Sequence, residues 1–318
     1  MSSGFSQLDA AGRLRHLVTL DGLPRMLIEE LLARAEVFAL GDARGQALAG
    51  MTVANIFGEP STRTRASFEL AALRLGADVV NLDSALSSRA KGETLLDTVH
   101  TLQALRVGVF VMRDTESGVH ERVARAVGDE AAVVSAGESH LSHPTQGLLD
   151  ALTLRQCKGD LGAVSIAIVG DIARSRVARS AYHALATLGV PDIRIVAPRA
   201  MMPEAAAFEG CRRFESLAAG IAGVDAVMML RIQHERAGGG PVDLPAYHRE
   251  FGLTAERLAG AGPRAIVMHP GPMNRGVEID SDVADGPQSV IRRQVANGLA
   301  VRMAVLERLA EARRARAP

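Results

Sequence analysis

The chain has 318 residues, about two domains at ~100–200 residues each. Its 36 Lys+Arg cancel its 36 Asp+Glu, which excludes a whole-surface electrostatic grip on nucleic acid or an anionic membrane; any bound anion is held by locally placed charge. Hydrophobic residues at 47% and charged ones at 23% exclude disorder, and aromatics at 3% without tryptophan leave no stacking platform for bases.

Two cysteines, Cys157 and Cys211, are too few for a disulfide framework or a four-thiolate zinc site. The histidines show no H-x-x-x-H pair, so no metal is expected. Residues 1–20 carry Arg13 and Arg15 but no continuous apolar core, unlike a secretory signal. No apolar run approaches the ~18 residues of a membrane span. The expectation is a soluble, cytoplasmic protein.

In chain order, short β-branched runs predict strands at Met51–Phe57, Asp78–Leu82, Val107–Met112, Ala132–Ser135, Val164–Val169, Ile193–Val196, Ala226–Leu230 and Ala265–Met268. Between them, apolar residues at i, i+3, i+4 and i+7 predict helices, as at Leu23–Phe38, Ala66–Leu75, Glu93–Leu105, Gly147–Gln156 and Val177–Leu188. This alternation predicts an α/β fold of parallel sheets covered by helices on both faces. The long connector around Gln146–Cys157 divides the strands into two sheets of about four each. A last helix is predicted over Ser289–Ala317, with Arg313, Arg314 and Arg316 at its C-terminal end.

Open parallel sheets bind ligands beyond the carboxyl ends of their strands, and unusual polar sequence falls there repeatedly. After the first strand comes Gly58-Glu59-Pro60-Ser61-Thr62-Arg63-Thr64-Arg65, then a helix. Ser61 or Thr62 suits an N-cap, first-turn N–H groups point past the strand, and arginine binds phosphate oxygens bidentately. A lone S-T-R would more often be a cap with two solvated arginines. Met112-Arg113-Asp114 ends another strand, and Ser142-His143-Pro144-Thr145-Gln146 opens the connector helix. Val169-Gly170-Asp171 is followed by Arg174, Arg176 and Arg179, without the glycines of G-x-G-x-x-G. Leu230-Arg231-Ile232-Gln233 and Met268-His269-Pro270-Gly271-Pro272 end two more strands. Each alone could be a surface loop; six such ends at one crevice argue for a site.

Together these segments resemble the aspartate/ornithine carbamoyltransferase family, from about Val18 to Leu309. Ser61–Arg65 is similar to the family's carbamoyl phosphate signature, and His143-Pro144-Thr145-Gln146 to its second one. Ser87-Ser88-Arg89-Ala90-Lys91-Gly92-Glu93-Thr94 resembles the lysine-bearing loop of the aspartate branch, and Arg231–Arg236 its aspartate-binding segment. The S-M-G and H-C-L-P segments of the ornithine branch are replaced by Met229-Leu230-Arg231 and His269-Pro270-Gly271-Pro272. A second substrate carboxylate calls for arginines, whereas an ornithine ammonium calls for an acidic or thiolate partner. Two positions depart from the pattern: Gly271 stands where some relatives have Leu, and Ala90 where some have a second lysine.

The resemblance implies two doubly wound parallel-sheet domains joined by helices: a carbamoyl phosphate-binding domain over residues 1–145 and an aspartate-binding domain over 146–288. The C-terminal helix, 289–318, would cross back to the first domain. It implies transfer of the carbamoyl group of carbamoyl phosphate to the α-amine of L-aspartate, the committed step toward pyrimidines, with no cofactor and no metal. Ser61, Thr62, Arg63 and Thr64 would hold the phosphate, with Arg113 bridging phosphate and carbonyl oxygen. Thr64, Arg113 and His143 would polarise the carbonyl, and Gln146 and the carbonyls of Gly271 and Pro272 would accept from the carbamoyl NH₂. Arg176, Arg231 and Gln233 would hold aspartate, with Ser87 and Lys91 reaching in from a neighbouring subunit of a homotrimer. That trimer would stand alone or join regulatory or dihydroorotase-like chains. Ala237–Pro241 would be a lid, and Glu59 would meet an arginine of the second domain on closure. The rivals are a carbamoyltransferase for another amine such as ornithine, and a silent member serving as a structural partner in an assembly.

Overall fold

The computed structural model describes residues 5–41, 44–83, 93–232 and 242–316. These divide into two compact units, Met1–Thr145 with Asn297–Pro318, and Gln146–Ala296.

The first unit holds β1 (Thr52–Phe57), β2 (Asp78–Asp83), β3 (Val107–Asp114) and β4 (Ala132–Glu138). All pair in parallel, in the order β2-β1-β3-β4. The helices are α1 (Arg25–Ala39), α2 (Thr62–Arg74), α3 (Leu95–Ala104) and α4 (Val119–Val127). Strands buried on both faces read as continuous apolar runs, which is why β1 and β3 were legible. On one face Ala54, Ile56, Phe110, Met112 and Val133 pack with Val99 and Leu102 of α3 and Val123 and Val127 of α4. Helix α5 (Pro144–Lys158) follows β4 and carries the chain into the second unit.

The second unit is built on β5 (Ser165–Val169), β6 (Asp192–Val196), β7 (Arg212–Phe214), β8 (Ala226–Met229) and β9 (Ile266–Met268), parallel in the order β7-β6-β5-β8-β9. Its helices are α6 (Arg176–Thr187), α7 (Leu217–Ile221), α8 (Leu244–Phe251), α9 (Ala255–Leu258) and α10 (Ser281–Ala284). The sheet therefore has one strand more than the sequence predicts. β7 is a three-residue edge strand, Arg-Arg-Phe, with no β-branched run to announce it.

The last helix, α11, runs Ile291–Arg314, and its residues from Asn297 onward belong to the first unit. There Arg34 pairs with Glu307, Arg308 Nη2 lies 2.6 Å from Glu30, and Arg313 Nη1 donates to the Gly108 carbonyl at 2.9 Å. Among the described residues no helix is long and apolar enough to cross a membrane.

Candidate active site

A doubly wound sheet opens a ligand-binding crevice where its strand order reverses. In the first sheet that point lies between β1 and β3. The Gly58–Arg65 segment leaves the carboxyl end of β1, and Arg113 is the penultimate residue of β3. The register sets Phe57 against Arg113, and Gly58 N–H donates to the Arg113 carbonyl at 2.8 Å. The Arg113 guanidinium is held on two sides, by Glu59 Oε1 at 2.7 Å and by the Ala136 carbonyl of β4 at 3.1 Å. Glu59 here faces an arginine of its own unit. The pair leaves Arg113 anchored but not sealed, since both side chains keep 13% exposure.

Helices α2, α3 and α4 follow β1, β2 and β3, and their N-termini are not equivalent. Thr94 and Asp97 close α3 with a reciprocal capping box. The buried Glu138 carboxylate closes α4, accepting from the His120 backbone N–H at 3.3 Å; burial pushes its carboxyl up, and the N–H groups of His120, Gly118 and Val119 pull it back. Helix α2 has no acidic residue in its first turn, and its N-cap Ser61 makes no side-chain cap bond. Its first turn instead carries Thr62 and Arg63, exposed, and Thr64, buried. The helix begins at Thr62 with Ser61 as N-cap, so the hydroxyl-arginine segment forms its first turn, ahead of the Ala66 at which the apolar periodicity begins. Cations at the positive end of a helix are the wrong sign for the macrodipole, a conflict that a bound anion relieves.

His143 reaches the site by a tight turn after β4. Glu138 N–H donates to the Ser142 carbonyl at 2.8 Å, and Pro144, with no N–H to satisfy, opens α5. His143 is 4% exposed, so its imidazole is confined rather than solvated.

In the second sheet the order reverses between β5 and β8. Arg176 is the first residue of α6, after β5, and Arg231 follows β8. Ser175 caps α6 with its hydroxyl, accepting from Ala178 N–H at 3.1 Å, which leaves buried Arg176 at a helix N-terminus, again the unfavourable sign. Arg174 turns instead to Asp171, at 3.2 Å. Leu230 N–H donates to the Val169 carbonyl at 2.8 Å, drawing the two strand ends together. A side chain at Gly170 would meet Leu230 Cβ at 2.9 Å, and φ there is +137°, so only glycine fits beside the Arg231 turn.

The turn after β9 holds Gly271 and Pro272, joined by a cis peptide bond. Gly271 N–H donates to His269 Nδ1 at 2.8 Å, so the ring proton sits on Nε2, which donates to the buried Glu278 Oε1 at 3.2 Å. Asn274 N–H donates to the same oxygen at 2.6 Å, and Asn274 Nδ2 to the Ile232 carbonyl at 3.3 Å. Gln146, in the first turn of α5, donates its Nε2 to Asp150 Oδ1 at 2.8 Å, and Gln294 Nε2 donates to the same oxygen at 2.6 Å.

Asp150 is fully enclosed, and burial pushes its carboxyl up to about 7 against the pull of the two amides. The unfolded chain releases this proton near 3.8 and the folded one near 7. Between those values the unfolded state binds fewer protons, so stability falls as pH rises and the cost is complete above about pH 7. Asp150→Asn is therefore expected to gain on the parent by about 1–3 kcal/mol as pH rises from about 5 to about 7. Urea unfolding at the two pH values measures it, and a constant difference would contradict the burial argument.

Of the sequence-derived set, the structure gathers Ser61, Thr62, Arg63, Thr64, Arg113 and His143 at the carboxyl edge of the first sheet. Arg176, Arg231, Gly271 and Pro272 gather at that of the second, and Gln146 heads α5. Ser87, Ser88, Lys91, Gln233 and the Ala237–Pro241 segment lie outside the described residues. Asp150, Glu278 and Gln294 were not foreseen. Asp150 did leave a signal: an acidic residue within Gly-Leu-Leu-Asp-Ala-Leu, four positions after Gln146.

Two family models match nearly the whole chain. Residues 15–156 match "Aspartate/ornithine carbamoyltransferase, carbamoyl-P binding domain", and residues 163–309 the corresponding "Asp/Orn binding domain". The aspartate carbamoyltransferase catalytic subunit of Stenotrophomonas maltophilia strain R551-3 is 54% identical over 311 residues, covering 95% of this chain and 98% of that protein. The catalytic subunit of Xanthomonas campestris pv. campestris strain B100 is 54% identical over 309 residues, with the same coverage, 95% and 98%. Among solved structures, Trypanosoma cruzi aspartate transcarbamoylase with carbamoyl aspartate and phosphate is similar at a TM-score of 0.84 and 30% identity, covering 93% of this chain and 95% of that one. Pyrococcus furiosus ornithine carbamoyltransferase is similar at 0.83 and 26% identity, covering 95% and 97%. Backbone likeness barely separates the two branches; the side chains at the site must.

Proposed function

The chain belongs to the aspartate/ornithine carbamoyltransferase family, and we propose that within it the protein transfers the carbamoyl group of carbamoyl phosphate to the α-amine of L-aspartate. The products are N-carbamoyl-L-aspartate and phosphate, in de novo pyrimidine synthesis in the cytoplasm. The observation that carries the aspartate reading is the pair Arg176 and Arg231 flanking the β5/β8 switch point. Two guanidiniums suit a dicarboxylate and repel the ammonium of ornithine. The 54% identity to aspartate carbamoyltransferase catalytic subunits supports the same choice.

The first unit binds carbamoyl phosphate. Its phosphate lies on the N-terminus of α2, with Ser61, Thr62, Arg63 and Thr64 as donors, and Arg113 spans phosphate and carbonyl oxygen. Thr64, Arg113 and His143 stabilise the negative charge that grows on that oxygen as the amine nitrogen attacks the carbon. Gln146 and the carbonyls of Gly271 and Pro272 accept from the carbamoyl NH₂. The second unit binds L-aspartate through Arg176, Arg231 and Gln233, with Ser87 and Lys91 contributed by a neighbouring subunit of a homotrimer. When the C–O bond breaks, the departing phosphate takes the proton from the attacking nitrogen, so no protein base is needed. Neither metal nor cofactor enters the scheme.

The decisive assay supplies carbamoyl phosphate with L-aspartate and, separately, with L-ornithine. Release of phosphate with aspartate alone is expected; turnover with ornithine alone would overturn the branch assignment.

A further inference from the structure

Building on that reading, we propose that Asp150 is a positioning residue that sets the hydrogen-bonding polarity of the carbamoyl-amine pocket, fixing Gln146 as an acceptor and orienting Gln294 toward the turn after β9. The substrate's NH₂ is a pure donor, and of its proposed partners only the backbone carbonyls are acceptors by nature. A glutamine amide presents either an oxygen or an NH₂ depending on which way it turns, and in the wrong orientation Gln146 would oppose the substrate's N–H. Something must choose.

Asp150 chooses by chemistry. Its Oδ1 accepts Gln146 Nε2 at 2.8 Å and Gln294 Nε2 at 2.6 Å. A carboxylate cannot accept from an amide oxygen, so Gln146 commits its NH₂ to Asp150 and turns Oε1 the other way. The same logic orients Gln294, whose Oε1 then accepts the His269 backbone N–H at 2.9 Å. His269 in turn accepts the Gly271 N–H at Nδ1, 2.8 Å, which fastens the turn to the same network. Both amide orientations therefore trace back to one oxygen atom, at the junction of α5 and the first turn of α11. The polarity survives protonation. Oδ2 meets no hydrogen-bonding partner among the described residues, so a proton carried there leaves Oδ1 accepting. The carboxyl, pushed up to about 7, need not be charged to do this work.

The readout is the ratio of affinities for carbamoyl phosphate and inorganic phosphate, because only the former carries the amine. Asp150→Leu is expected to lower that ratio about 10–100-fold, the cost of mispaired buried polar groups, with inorganic phosphate affinity held within about threefold. Asp150→Asn, which keeps an acceptor at Oδ1, is expected to restore the ratio to within about threefold of the parent. An unchanged ratio in Asp150→Leu would overturn the proposal, and so would an Asn variant as impaired as the Leu variant. Should Asp150→Leu fail to fold, Gln294→Met tests the second branch: a lowered ratio with normal inorganic phosphate binding is expected, and an unchanged ratio would overturn it. The parent enzyme is assayed alongside. No turnover of carbamoyl phosphate with aspartate by the parent would defeat the functional reading itself, whereas normal parent turnover with an unchanged ratio in the variants defeats only the role of Asp150.

Discussion

His143→Ala is expected to lower kcat about 10²–10³-fold, the usual consequence of removing one donor to a developing oxyanion. The affinity for carbamoyl phosphate is expected to stay within about threefold, because the charge His143 meets is small in the ground state and grows only as the amine attacks. The setting favours such a role. The ring is 4% exposed, on a turn closed by the Glu138–Ser142 hydrogen bonds and braced by Pro144 at the start of α5. A preorganised donor in a dry site costs no reorganisation during the reaction, whereas a solvated one would. Stopped turnover with a parallel binding titration separates the two effects. Equal losses in binding and kcat would make His143 a ground-state ligand, and an unchanged kcat would remove it from the chemistry.

The parts of the molecule that were legible in the sequence are those in which one local pattern decides the outcome. β1 and β3 are apolar almost throughout because parallel strands bury both faces, so their positions and the polar segments after them could be read directly. The N-cap at Ser61 was legible for the same reason: residue type at a strand–helix junction carries its own physics. What escaped depends on partners distant in sequence. β7 exists because Arg194, Ile195 and Val196 offer an edge to Arg212, Arg213 and Phe214, not because Arg-Arg-Phe prefers a strand. The Glu59–Arg113 pair depends on the register that sets Phe57 against Arg113 and so puts a guanidinium beside Glu59. Asp150 takes its second amide from Gln294, 144 residues away, which no local pattern announces. Likewise, that the first turn of α2 lacks a side-chain cap bond and an acidic residue gains meaning only by comparison with α3 and α4, one closed by its own Asp97 and the other by Glu138 from the neighbouring strand.

Arg231→Ala is expected to be the most severe change on the aspartate side, lowering kcat/KM for L-aspartate about 10²–10³-fold while carbamoyl phosphate affinity stays within about threefold. Truncating one member of a hydrogen-bonded charge pair costs about 2–5 kcal/mol, much of it the penalty of leaving the substrate carboxylate without a counter-charge. The backbone gives the test its resolution. Leu230 N–H is tied to the Val169 carbonyl at 2.8 Å, and Gly170 abuts Leu230, so the residue before Arg231 is fixed by the sheet and not by the side chain being removed. Loss of the guanidinium should therefore leave the turn in place. Arg231→Lys refines the argument, since it keeps the charge and gives up the planar fork. If carboxylate recognition is bidentate, the lysine variant should fall well below the parent and recover only part of the alanine loss. If it is a matter of charge alone, lysine should restore nearly all of it. Aspartate kinetics at saturating carbamoyl phosphate decide between these. Retention of aspartate affinity in Arg231→Ala, or a matching loss of carbamoyl phosphate binding, would remove Arg231 from the aspartate set and leave Arg176 to carry the dicarboxylate reading alone.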